Sequence, residues 1–274
     1  MFKLKRGNAT LILFLCFLFI ILIFLWNESP KNFSIKQNKK IIHTFYNKIE
    51  EWSPNAVLNE EITKQLLEWE KTWKNAGWET RILSSKDIDY SKFKIDKIMK
   101  NIPLGSNREY DNNCYLRHFA MASVGGGWMS DYDLIPLGLK SSELPNDGKY
   151  TVHEYAVPSL VSGSQKEWER IALDITDLGR SMENKTTLFS DMMALQALPL
   201  SSFVHSTNVL GYDKKKGIFL FEDNYSKIMC ETIMMFHGAH LSHEAMKKYK
   251  NPKFSRAKVY KELTEKISRE CKNL

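Results

Sequence analysis

The longest run of apolar residues comes at the start of the chain. Residues 9–26 contain no charged side chain, and a run of this length is close to what an α-helix needs to span a bilayer. Several cations and no acidic residue precede the run, so the positive-inside rule places residues 1–8 in the cytosol. We therefore predict a transmembrane signal anchor over residues 9–26, a short polar stem over residues 27–39, and a domain across the membrane over residues 40–274.

A cleaved signal peptide is the alternative interpretation of this run. It would need small residues ahead of the cleavage site, and the sequence FLWNESP at the end of the run offers none of the A-x-A kind. Three glycosylation sequons, at Asn32, Asn184 and Asn224, fit a luminal location for the rest of the chain. An uncleaved anchor is therefore favoured, and we predict a type II, single-pass protein of the Golgi or ER membrane.

After the predicted stem, the hydrophobic pattern alternates between strand and helix. KKIIHTFY is an apolar, β-rich run typical of a buried strand. The next segment places Ile62, Trp69 and Trp73 on one helix face, with Asn59 as a possible cap and Gly77 as the stop. WETRIL then returns as a strand. This strand, helix, strand order is how an α/β sheet begins.

The pattern continues in the same way toward the C-terminus. NNCYLRHFAMASV predicts a helix, WMSD a short buried central strand, and QKEWERIALDIT and TLFSDMMALQAL two more helices. YTVHEYAV, SFVHSTNVL and GIFLFED are typical of extended segments, and two basic helical segments around Pro252 end the chain. We predict one α/β domain with a Rossmann-like mixed sheet that is flanked by helices.

Composition and charge narrow the choice of partners. A hydrophobic fraction of 43% and a charged fraction of 26% are globular values. The formal net charge of +7 is diffuse and lacks the dense basic stripe with aromatic residues that indicates nucleic-acid binding, although it suits an anionic substrate. Cys114, Cys230 and Cys271 would face an oxidising lumen, where one disulfide is possible, and their spacing is unlike a zinc site.

The candidate chemistry lies in GGGWMSDYDLIPL, where Asp131 and Asp133 flank Tyr132 at the end of the predicted central strand. The carboxyl ends of strands in an α/β sheet form the ligand crevice, and two carboxylates that converge there repel each other unless a cation lies between them. Mg²⁺ and Mn²⁺ take oxygen ligands of this kind and keep places for phosphates. An exposed turn is the usual alternative for D-x-D, but the apolar flanks favour a buried metal site.

This segment and the helix before it resemble the signature of the DxD-containing sugar-transferase family (glycosyltransferase family 32), which includes Golgi initiating α-1,6-mannosyltransferases and glycolipid α-1,4-galactosyltransferases. The signature has an arginine on a helix, a Gly-Gly pair, three residues and then Asp-x-Asp. The matching residues are Arg117, Gly126, Gly127, Asp131 and Asp133. KKIIHTFY resembles the family's first strand, which lies under the nucleotide and includes His43 here. The resemblance covers residues 40–139.

The resemblance implies a GT-A fold and a metal-dependent, retaining transfer of a hexose from a nucleotide diphosphate to a glycan, glycolipid or glycoprotein acceptor. Asp133 would bind Mn²⁺ or Mg²⁺ directly, and Asp131 would contact the metal and the ribose or sugar. The residues implied to contact the donor are Arg117, Gly126, Gly127, Tyr132 and His43. Arg117 has an alternative interpretation as a salt-bridge partner on a helix surface.

One position departs from the family pattern. The family's aspartate three residues before the helix arginine is Cys114 here, so a contact to the donor is open and Asp111 is a possible substitute. A non-catalytic, membrane-anchored sugar- or nucleotide-binding homologue is therefore the alternative function. An aspartate-dependent phosphohydrolase also uses Asp-x-Asp, but it has Thr or Val where Ile135 stands.

Further candidates lie beyond the matched region. In GT-A enzymes a C-terminal histidine often supplies the third metal ligand, and His237 fits best because it follows an apolar run and precedes a glycine. Asp191 is interpreted either as a catalytic carboxylate on the acceptor or sugar side, or as a first-turn acid that stabilises its helix. Glu222 and Asp223 form another acidic pair near a predicted strand end.

Overall fold

The computed structural model describes residues 40–50, 59–154, 157–206, 209–210, 212–213, 218–219, 235–237 and 256–272. The predicted anchor and stem, and the candidates Glu222 and Asp223, lie outside these ranges. None of the helices within the described ranges combines the length and apolarity needed to cross a bilayer. All the described residues belong to one packing unit, Lys39–Leu274.

Strands and helices alternate through the unit. The strands are β1 (Ile41–Phe45), β2 (Glu79–Leu83), β3 (Gly126–Ser130), β4 (Leu134–Pro136), β5 (Thr151–Glu154), β6 (Val157–Ser164), β7 (Val204–His205), β8 (Val209–Leu210), β9 (Tyr212–Asp213), β10 (Ile218–Phe219) and β11 (Met235–His237). The helices are α1 (Asn59–Asn75), α2 (Ile95–Ile98), α3 (Arg108–Ser123), α4 (Gln165–Ser181), α5 (Asp191–Ala197) and α6 (Arg256–Lys272).

A mixed six-stranded sheet forms the centre, in the order β2-β1-β3-β6-β5-β7. β1 is parallel to both β2 and β3, whereas β6 is antiparallel to its neighbours β3 and β5, and β7 is parallel to β5. A smaller sheet has the order β4-β11-β8, and β9 pairs with β10. The prediction of an α/β fold with a Rossmann-like mixed sheet is therefore confirmed.

Helices cover both faces of the central sheet. Side chains alternate between the two faces of a strand, and Met129 packs with the α3 and α4 core while its neighbour Trp128 packs with α1 and α6. On the second face, α1 contributes Trp69 and Trp73, which continue into a chain of tilted or edge-to-face aromatic contacts through Trp78 to Trp128 with centroid separations of 5.6–6.4 Å. The predicted apolar face of α1 is therefore its buried face.

Two local predictions need correction. The strand predicted over YTVHEYAV is confirmed for Thr151–Glu154, which form β5, but it ends there, and the chain returns antiparallel as β6 from Val157. The side chain of Asn59 does not cap α1. It accepts from Tyr46 Oη and Ile49 N and also donates to the Ile49 carbonyl, which ties the segment after β1 to the helix.

Candidate functional site

A cavity of about 390 Å³ lies where the parallel strands β1 and β3 reach their carboxyl ends. The described residues that line it are Phe45, Tyr46, Asn47, Ile49, Ile62, Tyr110, Asp111, Asn113, Cys114, Arg117, Asp131, Tyr132, Asp133, Val157, Pro158, Ser190, Asp191, Met192 and Arg256. Its size is within the usual range for small-molecule sites, and its position matches the crevice in which α/β sheets bind ligands. We refer to it as the cavity.

The segment Asp131–Asp133, which we call the D-x-D turn, is held on two sides. From β6, the Ser159 carbonyl accepts from Asp131 N at 2.6 Å. From α1, Gln65 Nε2 donates to the Tyr132 carbonyl at 3.1 Å, and Trp69 Nε1 donates to Ser130 Oγ at 3.0 Å. The Asp131 side chain is 34% exposed and that of Asp133 is 7% exposed, so the motif is not a solvated turn.

Arg117 joins the first aspartate of the turn to a second carboxylate. Its Nη1 donates to Asp131 Oδ1 at 2.8 Å, while its Nη2 and Nε donate to Asp191 Oδ2 at 2.5 and 3.1 Å. Arg117 and Asp131, which belong to the same predicted signature, and Asp191, which was predicted separately, therefore form one ion-paired group on the cavity wall. Arg117 is not on a free helix surface, because its side chain is only 12% exposed.

A buried polar chain lies behind Asp191. His118 Nε2 contacts Asp191 Oδ2 at 3.2 Å, and Tyr150 Oη contacts His118 Nδ1 at 3.1 Å. Burial lowers the pKa of His118 despite the nearby carboxylate, so the imidazole is neutral, donates through Nε2 to Asp191 and accepts a hydrogen bond from the Tyr150 hydroxyl at Nδ1. No local pattern in the sequence indicates this contact, because Tyr150 lies 32 positions after His118.

Asp191 itself is ionised and fully engaged. Burial alone would raise the pKa of Asp191, but the charge of Arg117 and the hydrogen bond from His118 outweigh it, and the pKa lies below its usual value. Its Oδ1 accepts from Met192 N at 2.7 Å. These contacts suit a carboxylate that orients Arg117. Asp191, which was predicted as a catalytic residue, lies at the edge of the cavity.

The second aspartate of the turn pairs with a residue that the sequence analysis missed. Arg256 Nη2 donates to Asp133 Oδ2 at 2.7 Å, and the Arg256 guanidinium lies 5.8 Å from the ring centroid of Tyr132. Arg256 begins α6, far along the chain, in the C-terminal region that was predicted as two basic helical segments without a role in the site. No periodicity or motif marks such a tertiary contact.

His237 can be placed only through its backbone. β11 runs antiparallel to β4 with His237 opposite Leu134, the residue directly after Asp133. The register therefore brings the predicted third metal ligand beside the D-x-D turn at the level of the backbone.

Three other residues that were predicted to contact the donor lie behind the wall of the cavity, namely His43, Gly126 and Gly127. The His43 ring is 6% exposed and its Nδ1 donates to the Trp128 carbonyl at 3.0 Å, so it ties β1 to β3. Gly127 lies against this ring. Gly126 has no side chain, which allows the close approach of the end of β6. None of the three is among the described residues that line the cavity, whereas Tyr132 is.

The cavity as a whole is acidic. Among the described lining residues, four aspartates face two arginines. The four are Asp111, Asp131, Asp133 and Asp191. Cys114 has no disulfide partner, and burial together with the Asp191 charge raises the pKa of its thiol, which keeps it neutral. An anionic ligand would therefore enter this cavity favourably only with a cation.

A divalent cation fits the donor set. Asp131 and Asp133 supply hard oxygen ligands, and the acidic excess favours a positive ion between them. Within the described ranges no group of three or more His, Cys, Asp or Glu side chains is arranged around a metal position. The two aspartates could hold Mg²⁺ or Mn²⁺ and would leave places for water or phosphate oxygens.

The buried histidines predict a pH-dependent stability. Burial lowers the pKa of His43, His118 and His153 below the usual 6.5, to about 4 for His153. Below about pH 6.5 the unfolded chain is protonated at these sites and the folded chain is not, so each site costs about 1.4 kcal/mol of stability per pH unit until its folded pKa is reached. The free energy of unfolding, followed by tryptophan fluorescence in urea, should fall between pH 7 and 4.5.

His153→Leu is the matched variant for this effect. Its pH slope should be shallower than that of the unmodified chain by about 1.4 kcal/mol per pH unit, whatever its stability at pH 7. A stability that does not change over this range, or an unaltered slope in the variant, would contradict the assignment of neutral buried histidines.

No protein-family model and no curated protein sequence matches this chain.

Proposed function

We propose that the chain is a metal-dependent hexosyltransferase with a GT-A-like fold, which transfers a sugar from a nucleotide diphosphate to a glycan, lipid or protein acceptor. We further propose that it works in the lumen of the Golgi or ER behind an N-terminal membrane anchor. One observation carries the proposal: Arg117, Asp131 and Asp133, which form the sequence signature, meet at one cavity on the carboxyl edge of β1 and β3.

Asp131 and Asp133 would hold Mn²⁺ or Mg²⁺, with His237 as the candidate third ligand. The metal would supply positive charge to the diphosphate leaving group. The acidic lining of the cavity supports this requirement, because a diphosphate brings further negative charge to a site that already has more carboxylates than guanidinium groups.

The other lining residues have roles that follow from their chemistry. Asp191 holds Arg117 at two nitrogens, so that Nη1 stays directed at Asp131 and at any donor group beside it. The segment after β1 presents the Tyr46 ring, which suits a flat base, whereas the Asn47 amide is held by Asn113 and Ser85. Tyr132 lies between the two aspartates and adds an aromatic face for the sugar or base.

A non-catalytic nucleotide-sugar-binding protein is the second candidate, and Cys114 is the observation that favours it. This neutral thiol lines the cavity one helical turn before Arg117, where the resembled family has a carboxylate. Such a protein would bind donor and metal without releasing the nucleotide.

Calorimetry with UDP and GDP tests the binding part of the proposal. In Mn²⁺, at least one of them should bind, and EDTA should weaken that binding by about tenfold or more because the cavity is acidic. The corresponding monophosphate, UMP or GMP, is the matched ligand and should bind much more weakly. If neither diphosphate binds with or without Mn²⁺, both candidate functions are wrong.

A further inference from the structure

Arg256 occupies the position where the proposed metal would be needed. Its Nη2 donates to Asp133 Oδ2, and the two side chains are only 18% and 7% exposed. A carboxylate oxygen in a short, charge-assisted hydrogen bond to a guanidinium is not open to a cation on the same side. A divalent ion that uses this oxygen therefore has to displace Arg256.

The displaced side chain would remain at the cavity. Tyr260, one helical turn after Arg256, donates through Oη to the Leu134 carbonyl at 2.8 Å and so fixes the start of α6 against the D-x-D turn. Arg256 also has unused hydrogen-bonding capacity, because its Nε is buried and has no hydrogen-bond partner within the described ranges. A buried N–H group without a partner is unusual in folded proteins and suits an acceptor that arrives with a ligand.

We propose that Arg256 exchanges partners: it pairs with Asp133 in the free protein, yields this carboxylate to the divalent cation, and then pairs with the diphosphate of the donor. This inference rests on the proposed function. The planar guanidinium matches two phosphate oxygens. Of the other carboxylates among the described lining residues, Asp131 and Asp191 pair with Arg117, and Asp111 Oδ2 accepts from Gly105 N. Arg256 therefore weakens the binding of the metal alone, and it strengthens the binding of the metal together with the nucleotide.

Such an exchange makes the binding of metal and nucleotide positively cooperative. Without nucleotide, the cation competes with an arginine. With nucleotide, the displaced arginine gains an ion pair in place of the one it lost, so each ligand increases the affinity for the other. A residue that merely supported Asp133 structurally would lower both affinities when it was removed.

The test compares Arg256→Gln with the full unmodified chain in two measurements. Mn²⁺ binding without nucleotide, read from the EPR signal of free Mn²⁺, should tighten about threefold or more, because the competing cation is gone. UDP or GDP binding at saturating Mn²⁺ should weaken by about tenfold or more, because a charge-assisted hydrogen bond is lost. The two affinities should therefore change in opposite directions.

Two further variants control the comparison. Arg269→Gln removes a charge from an exposed position of the same helix and should alter neither affinity. Arg256→Lys keeps the charge without the fork, so it should restore competition with Mn²⁺ and only part of the nucleotide affinity. Tryptophan fluorescence establishes that each variant is folded.

The outcomes separate this inference from the proposed function. If the unmodified chain binds neither Mn²⁺ nor a nucleotide diphosphate, the proposed function is wrong and the exchange falls with it. If the unmodified chain binds both and Arg256→Gln leaves both affinities unchanged, or weakens both, the proposed function stands and the exchange is wrong.

Discussion

Asp133→Asn should reduce the turnover of the sugar donor by about 10³-fold or more, since it removes the buried carboxylate that would hold the metal at the diphosphate. The substitution keeps the size of the side chain and one oxygen, so packing against Tyr132 and the turn should be retained. The measurement is release of nucleotide in Mn²⁺ with the best donor. Mn²⁺ binding in the absence of donor should weaken in parallel, which separates loss of metal from loss of the acceptor site.

Asp96→Asn is the matched control for this prediction, because it removes an exposed aspartate of α2 away from the cavity lining. It should leave turnover and Mn²⁺ binding unchanged. Loss of the charge partner of Arg256 could also destabilise the fold, so the unfolding midpoint of each variant has to be measured. A folded Asp133→Asn chain with full turnover would rule out the metal role of Asp133.

Gly126→Ala should destabilise the fold by about 3 kcal/mol or more, as the sum of backbone strain and overpacking. Gly126 has a φ of +78°, and a Cβ built on it would lie 2.5 Å from Gln165 N and 2.7 Å from the Ser164 carbonyl carbon. Both contacts are with backbone atoms, at the point where β6 passes into α4, and backbone cannot rotate away. The free energy of unfolding in urea gives the cost.

Gly77→Ala separates the two contributions. Gly77 also has a positive φ, +83°, but a Cβ there would have no atom within 4 Å. We therefore expect this variant to lose only about 1–2 kcal/mol, the cost of the left-handed conformation alone. Equal losses in the two variants would show that the close approach of β6 to β3 does not constrain position 126.

The sequence predicted those strands and helices whose own residues carry a clear pattern of apolar and polar positions. β1 and β3 follow from short apolar runs, because nearly all of their residues are buried. α1 follows from a helix face that contains Trp69 and Trp73, because that face is the buried one. β6 was missed for a physical reason. It lies between β3 and β5 but contains Pro158, which cannot donate to a ladder and normally argues against an internal strand. The proline is tolerated because it is the second residue of β6, near the start of the strand.

The same distinction holds for the site. Asp131, Asp133 and Arg117 come from adjacent elements, and the resemblance to the sugar-transferase signature brought them together in prediction. The residues that form ion pairs with Asp133 and Arg117 from outside this region lie far away in the sequence. Arg256 is 123 positions from Asp133, and Asp191 is 74 positions from Arg117. Such pairs depend on how complete elements pack, and a single sequence contains no local signal for them.

His43 illustrates how a strand residue near a site can serve the scaffold. Its place in the run KKIIHTFY suggested a contact to the donor, yet the alternation of β1 directs its ring to Trp128 and Gly127. Burial and the resulting lowered pKa make it a neutral tie between β1 and β3. It thereby supports the strand end that presents Tyr46 and the carboxylates of the turn.

A screen of UDP- and GDP-sugars for release of the nucleotide decides whether the cavity supports metal-dependent sugar transfer. We expect that the purified chain releases nucleotide from at least one donor in Mn²⁺, and that EDTA or Asp133→Asn removes nearly all of this release. Absence of release from every donor despite diphosphate binding would favour the non-catalytic alternative, and release that is unaffected by EDTA and by Asp133→Asn would contradict the metal site at the D-x-D turn.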